Sequence, residues 1–369
     1  MADLLLAIGG RGDAVRAAPV AAVARRAGLE VGLVCAPWRE DDLPPAAALD
    51  ELELPQPLVE LLPGARERDA DGVGRGIAAA GALRAARPAS VLVCGSGPAL
   101  LGVALAASAE RIPVATLDAG LRTPGSTAAA ESHRRVLDHV ADVLFAPTPV
   151  AAASLRREGV PAARIVESGS TIPDAIALVD PQADADPIAL DGEYALVYLR
   201  ADETIEEAET LARTLEAVLL LGRCLPVVFP VHPRTRRQLF RFGLNAALAA
   251  EPGVLDVEPL GHAGFLALVR GAGVVLTDAG TVQDEATALG ARCLTLARAT
   301  DRQAGLLTGA NAVVGLDRAR IVESALSVLE EPTPTLPLPE RWDGRAAERV
   351  VDRLLAESPL APRPAAGRA

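Results

Sequence analysis

The sequence contains no lysine: all 36 of its Lys+Arg side chains are arginine. Together with the heavy use of alanine and proline, this reads as a composition bias of the source and not as the mark of a site. Aromatic residues are scarce as well, at 2% of the chain, so the cores must be packed by Ala, Val, Leu and Ile, which a hydrophobic content of 50% supplies. Positive charge is in deficit. A formal net charge of −12 argues against a nucleic-acid partner, because a phosphate backbone needs a basic face, whereas an anionic nucleotide needs only a few local donors. Each apolar run is broken by Arg, Glu, Gly or Pro before it reaches the length of a membrane span. The N-terminus begins with a strand-like run, Asp3 to Ile8, without a charged start and cleavage site, so a cytoplasmic protein with no membrane partner is expected. Cys35, Cys94, Cys224 and Cys293 are widely spaced beside apolar runs. They show neither a zinc spacing nor a disulfide framework, and buried reduced thiols are expected.

What the chain does have is alternation. Short apolar runs at 4–8, 31–36, 90–95, 114–120 and 143–148 read as buried strands, separated by Ala-rich helical segments such as Ala14 to Ala27 and Ala99 to Glu110. The pattern restarts at 194–199, 226–231, 274–277 and 293–296. At 369 residues two domains are the default, and Val179 to Asp191, with two prolines and four aspartates, reads as the linker between them. Pro332 to Pro339 reads as a second, extended linker, followed by a last helix, Gly344 to Ala356, that carries the chain back to its first domain. The expected organisation is an N-terminal domain at 1–178, a C-terminal domain at 192–331, a returning helix at 340–357 and a disordered tail at 358–369.

Ligands of open parallel sheets sit beyond the carboxyl ends of the strands, which directs attention to the residues just after each run. Gly9-Gly10-Arg11-Gly12-Asp13 follows the first strand and opens the first helix. Its amides and Arg11 suit a phosphate, or it is a plain turn with a solvent-facing arginine. In the second half, Thr277-Asp278-Ala279-Gly280-Thr281-Val282-Gln283-Asp284-Glu285 leads from a strand into a helix. It can offer amides and the Thr281 hydroxyl to a phosphate and the Glu285 carboxylate to ribose hydroxyls, or it is a helix cap with surface acids. His232-Pro233-Arg234 closes another strand, as ligand contacts or as satisfied polar residues.

Beyond these, one ordered set of motifs resembles the non-hydrolysing UDP-N-acetylglucosamine 2-epimerases. It comprises Asp118-Ala119-Gly120-Leu121-Arg122-Thr123, Glu131-Ser132-His133-Arg134, Phe145-Ala146-Pro147-Thr148 and Gly169-Ser170-Thr171. It continues through His232-Pro233-Arg234, Glu258-Pro259-Leu260, the Asp278 to Glu285 turn, Thr300-Asp301-Arg302 and Asp343-Gly344-Arg345. The resemblance spans roughly residues 4 to 355. It implies an α/β protein of GT-B-type architecture, two Rossmann-like domains facing a central cleft with a UDP-sugar between them. It also implies a homodimer and inversion at C2 of the sugar by elimination and re-addition of UDP, with no metal or redox cofactor. UDP-sugar contacts are implied for Arg11, His232, Arg234, Asp278, Gly280, Thr281, Gln283, Glu285 and Arg302, and catalytic roles for Asp118 and Glu131.

The chain departs from the family pattern where that chemistry needs acids. Ser96 stands where the family has Asp, Asp118 is shorter than the family's Glu, and Ala130 replaces the first acid of a Pro-Glu-Glu. Leu199 stands at the place of a His, Ala279 and Thr281 change the phosphate turn, and Asp301-Arg302-Gln303-Ala304 replaces Glu-Arg-Pro-Glu. A positioned acid or base contributes ~10²–10⁴-fold. Three readings stay open: an epimerase, acting on this or a related UDP-sugar; a paralogue that binds a UDP-sugar without turning it over; and a glycosyltransferase on the same architecture. A hydrolysing variant is compatible with the same residues.

Overall fold

In the computed structural model of the chain, residues 2–37, 46–62, 69–126, 128–179, 188, 192–332 and 335–357 are described. The chain divides into two compact units. One runs up to Leu178 and takes the chain back at Glu340; the other runs from Val179 to Pro339.

The first unit is built on strands β1 (Leu4–Ile8), β2 (Val31–Cys35), β3 (Val59–Glu60), β4 (Ser90–Val93), β5 (Val114–Leu117), β6 (Val143–Ala146) and β7 (Ile165–Glu167). They form a seven-stranded sheet in the order β3-β2-β1-β4-β5-β6-β7. The second unit carries β8 (Ala195–Tyr198), β9 (Val227–Pro230), β10 (Val254–Val257), β11 (Val274–Thr277), β12 (Cys293–Thr295) and β13 (Asn311–Val313), in the order β10-β9-β8-β11-β12-β13. Every pairing is parallel. The central strands read as continuous apolar runs because helices cover both faces of a parallel sheet. In the second unit one core gathers around Val197, Leu215, Val218 and Phe229, and another around Tyr194, Leu196, Val228 and Phe265.

These are the two Rossmann-like sheets expected from the alternation. All nine expected strands are present, and β3, β7, β10 and β13 are additional. The strand order reverses direction between β1 and β4 in one sheet and between β8 and β11 in the other. Those two switch points are where a doubly wound sheet opens a crevice at its carboxyl edge.

The last helix, Ala346–Glu357, packs on the first, Arg11–Arg26. Its start is held by the Asp174 carboxylate, which accepts the Ala347 amide at 2.9 Å and the Ala346 amide at 3.4 Å. Burial pushes Asp174 above the usual aspartate range despite those bonds. The buried Trp342 donates its indole N–H to the Pro147 carbonyl at 3.2 Å. Most of the expected Val179–Asp191 linker and the whole 358–369 tail lie outside the described residues. One expectation is corrected: Cys35, Cys94 and Cys293 are buried, but Cys224 is exposed. It follows the end of the helix Ala208–Gly222, in the exposed turn leading to β9.

Candidate functional site

The first switch point lies between the turn after β1 and the turn after β4. The helix Arg11–Arg26 starts at Arg11 with no side-chain cap, and the Gly9 amide donates to Asp13 Oδ2 at 2.9 Å. One turn on, Arg16 is buried and fixed twice. Its Nη1 donates to the Gly12 carbonyl at 2.9 Å, and its Nε lies 2.8 Å from Asp118 Oδ2 at the end of β5. Asp118 takes a left-handed backbone, φ +56°. That conformation costs a non-glycine residue roughly 1–3 kcal/mol and concentrates at functional sites. Its side chain keeps 18% of its surface exposed. Ser96, next to Gly95 after β4, is partly buried.

Glu131 sits differently. It lies in the first turn of the helix Ala129–Val140, 3% exposed. Its carboxylate accepts the Thr123 amide at 3.2 Å and Arg134 Nη2 at 3.0 Å, with Arg135 Nε at 3.4 Å. Beside it Arg122 binds Asp138 at 2.8 Å and Glu158 at 2.6 Å. Burial opposes the Arg122 charge, but these hydrogen bonds outweigh it and hold the guanidinium above its ordinary value. The bond from Arg122 likewise lowers Glu158, whereas at Asp138 burial wins and raises the carboxyl. Asp138 also accepts the Gly120 amide at 3.1 Å. Arg122, Glu131, Asp138 and Glu158 therefore form a charged brace tied to the turn after β5 through the Gly120 amide, and Asp118 and Glu131 are held by different partners.

In the second unit the helix Gly280–Leu289 follows β11 and again has no side-chain cap. The Arg302 guanidinium lies over its start: a Cβ on Gly280 would come within 2.8 Å of Arg302 Nε, so a larger residue there would have to displace it. Arg302 is steadied by Asp284 at 2.9 Å and Asp301 at 3.3 Å. Gln283 holds the same loop by accepting from Thr300 at 2.7 Å and from Asn311 at 3.2 Å. Glu285 is buried against His262, 2.9 Å from its Nε2. Asp278 accepts the Arg200 amide at 2.8 Å and the Ala201 amide at 3.0 Å. Its burial raises its pKa, and those two backbone bonds oppose the rise.

The turn after β8 joins this corner to the start of the helix Pro233–Arg241. Thr235 donates to the Leu199 carbonyl at 2.5 Å and Arg234 to the Arg200 carbonyl at 3.3 Å. Arg234 also pairs with Glu206 and Asp202. His232 Nδ1 accepts the Arg234 amide at 3.2 Å, and the His232 ring meets Tyr198 edge-on at 6.2 Å. Leu199, in the place of the family's His, is part of the core.

The structure thus gathers Asp278, Gly280, Thr281, Gln283, Glu285 and Arg302 around one helix start, with His232 and Arg234 linked to it through 199–201. Arg11, Asp118 and Glu131 belong to the other unit. Uncapped helix amides under a guanidinium suit an anion. No sequence motif marks a role for Arg16, Asp13 or His262. Arg16 and Asp118 are far apart along the chain, and nothing in the spacing of either announces the pair.

Two doubly wound parallel sheets, each with charged residues at its switch point, define a two-domain α/β protein of Rossmann-like type. The family model described as UDP-N-acetylglucosamine 2-epimerase matches residues 21–355. The chain is 31% identical over 317 residues to the UDP-N-acetylglucosamine 2-epimerase of Methanocaldococcus jannaschii, covering 82% of this chain and 85% of that one. It is 36% identical over 248 residues to the UDP-2,3-diacetamido-2,3-dideoxy-D-glucuronate 2-epimerase of Pseudomonas aeruginosa, covering 66% and 68%. The M. jannaschii enzyme in complex with UDP-GlcNAc and UDP superposes with a TM-score of 0.86 at 26% identity, covering 96% of this chain and 99% of that one. The Neisseria meningitidis enzyme bound to UDP-GlcNAc shares the fold at a TM-score of 0.82 and 22% identity, with coverage of 96% and 99%. The chain belongs to the UDP-N-acetylglucosamine 2-epimerase family.

Proposed function

We propose that the protein interconverts UDP-N-acetylglucosamine and UDP-N-acetylmannosamine, or the corresponding pair of a related UDP-sugar, by elimination and re-addition of UDP. The observation that carries this reading is the Arg16–Asp118 pair, a partly exposed carboxylate held at a strand end by a buried arginine. A relative acting on a diacetamido-glucuronate sugar is as similar in identity as those acting on UDP-GlcNAc, which supports keeping the sugar class open.

In this reading the Gly280–Thr281 amides and Arg302 receive the diphosphate and Glu285 receives the ribose, while Arg11 keeps the phosphate role that the family resemblance implies for it. Asp278, Gln283, His232 and Arg234 hold the nucleotide corner in shape. Asp118 transfers the C2 proton. Glu131, whose carboxylate is buried among Thr123, Arg134 and Arg135, braces the turn after β5. A homodimer, implied by the family resemblance, and a cytoplasmic setting, expected from the N-terminal sequence, are part of this proposal; among the described residues no helix is long and apolar enough to cross a membrane.

A second reading has a specific motive: Ser96, Ala130 and Leu199 stand where the family pattern has two acids and a His. The protein would then bind a UDP-sugar without turning it over. Incubation with UDP-N-acetylglucosamine, followed by NMR for UDP-N-acetylmannosamine with calorimetric UDP titration alongside, separates the two. Product together with UDP binding supports the epimerase; UDP binding without product supports the second reading. Absence of both leaves only the fold.

A further inference from the structure

The acid missing at position 96 has a structural counterpart. Asp13 lies in the first turn of its helix, three residues before Arg16, and its carboxylate rests directly on Gly95. A Cβ at Gly95 would fall 2.4 Å from Asp13 Oδ2, 2.6 Å from Cγ and 2.7 Å from Oδ1, so the carboxylate fills the space that a side chain there would need. Gly95 immediately precedes Ser96. The Gly9 amide fixes Asp13 in this position at 2.9 Å. The Cys94 thiol shows that the charges share one neighbourhood: burial raises it most, the charges of Asp13 and Asp118 raise it further, and Arg16 opposes them. Asp13 is only partly buried, as is Asp118, so both remain open to a ligand at the carboxyl edge of β4 and β5.

We propose that Asp13 is the second proton-transfer carboxylate of this site, paired with Asp118 beside Arg16 and doing the work of an acid at position 96. The inference rests on the epimerase reading above. One carboxylate takes the C2 proton; the C2–H electron pair becomes the C1=C2 double bond, and the C1–O bond breaks with its electrons on UDP. On return the diphosphate oxygen re-forms the bond to C1, while C2 takes a proton on its other face from the partner carboxylic acid. The proton has moved from one member of the pair to the other, and exchange with water restores the starting state without a redox partner. Arg16, fixed to the Gly12 carbonyl and to Asp118, reduces the repulsion between two carboxylates that must approach one sugar.

The test compares the intact protein with Asp13→Asn, Asp13→Glu and the double variant Asp13→Asn/Ser96→Asp. Each is assayed for C2 deuterium incorporation from heavy water, for the pH–rate profile and for UDP affinity. Asp13→Asn should lower exchange by about 10²–10⁴-fold and remove one ionisation from the pH–rate profile, while UDP affinity stays at the wild-type value. Asp13→Glu and the double variant should each recover part of the rate, because either returns a carboxylate to the Gly95–Ser96 edge. Wild-type exchange in Asp13→Asn overturns the inference and leaves the epimerase reading standing. So does a loss of rate with an unchanged pH profile that neither acid-restoring variant repairs, which marks Asp13 as a structural brace. Absence of exchange in the wild-type protein while it binds UDP overturns this inference and the epimerase reading together.

Discussion

The two switch points hold their carboxylates in opposite ways. In the second unit, Asp284 and Glu285 retain 4% and 3% of their side-chain surface, and each is engaged by a neighbouring side chain, Arg302 or His262. Asp278 is buried too and is engaged by two backbone amides. In the first unit Asp118 keeps 18% exposed against a buried arginine, and Asp13, also only partly buried, rests against Gly95. A carboxylate that must trade protons with a substrate needs access and a modest environment. One that must hold a loop for a nucleotide is better buried and bonded, and costly to disturb. Under the proposed function the difference would separate chemistry from binding within one chain; the departures from the family pattern at 96 and 130 lie in the first unit, and those at 199, 279, 281 and 301–304 in the second.

The largest expected effect is at the open side. Asp118→Asn should lower turnover by about 10²–10⁴-fold while UDP affinity, measured by calorimetry, stays within experimental error of the wild type. Loss of UDP affinity in that variant would erase the distinction between the two units. The buried side should answer in the reverse sense. His262→Phe strands the Glu285 carboxylate, costing about 1–3 kcal/mol of stability by chemical denaturation. It should also weaken UDP on the order of tenfold, the equivalent of about 1.4 kcal/mol. Turnover at saturating substrate should change little by comparison.

The smallest effect concerns the Arg122 brace and is one of pH. The hydrogen bond from Arg122 lowers the Glu158 pKa in the folded protein, so folding is favoured above the unfolded-state value and that contribution is lost as pH falls through the lowered one. Glu158→Gln should therefore show a shallower acid limb of stability than the wild type, with the difference opening below the ordinary glutamate range. Parallel acid limbs would show that the Arg122 network is electrostatically idle.

The central strands were legible because burial on both faces writes an uninterrupted apolar run. The edges were not. Val59–Glu60 is two residues long, Ile165–Glu167 is only partly buried, and Val254–Val257 exposes Leu255 and Asp256, so no run of one character marks them. The corner at the start of the helix Gly280–Leu289 was legible for a related reason: Asp278, Gly280, Gln283 and Glu285 lie within one turn-and-helix motif. Its supports were not, since His262 reaches Glu285 from another helix and Thr300 reaches Gln283 from a later loop. In the first unit the motif at Gly9–Asp13 drew attention to Arg11. The topology instead turns Arg16 toward the end of β5 and Asp13 toward the end of β4, and only the strand order puts those ends side by side.

The most direct measurement is the appearance of solvent deuterium at C2 of UDP-N-acetylglucosamine incubated with the wild-type protein in heavy water, followed by proton NMR. The account predicts loss of the C2 proton signal together with the appearance of UDP-N-acetylmannosamine labelled at C2. A C2 proton that persists as it does with heat-denatured protein, under conditions where calorimetry shows the UDP site filled, would contradict it.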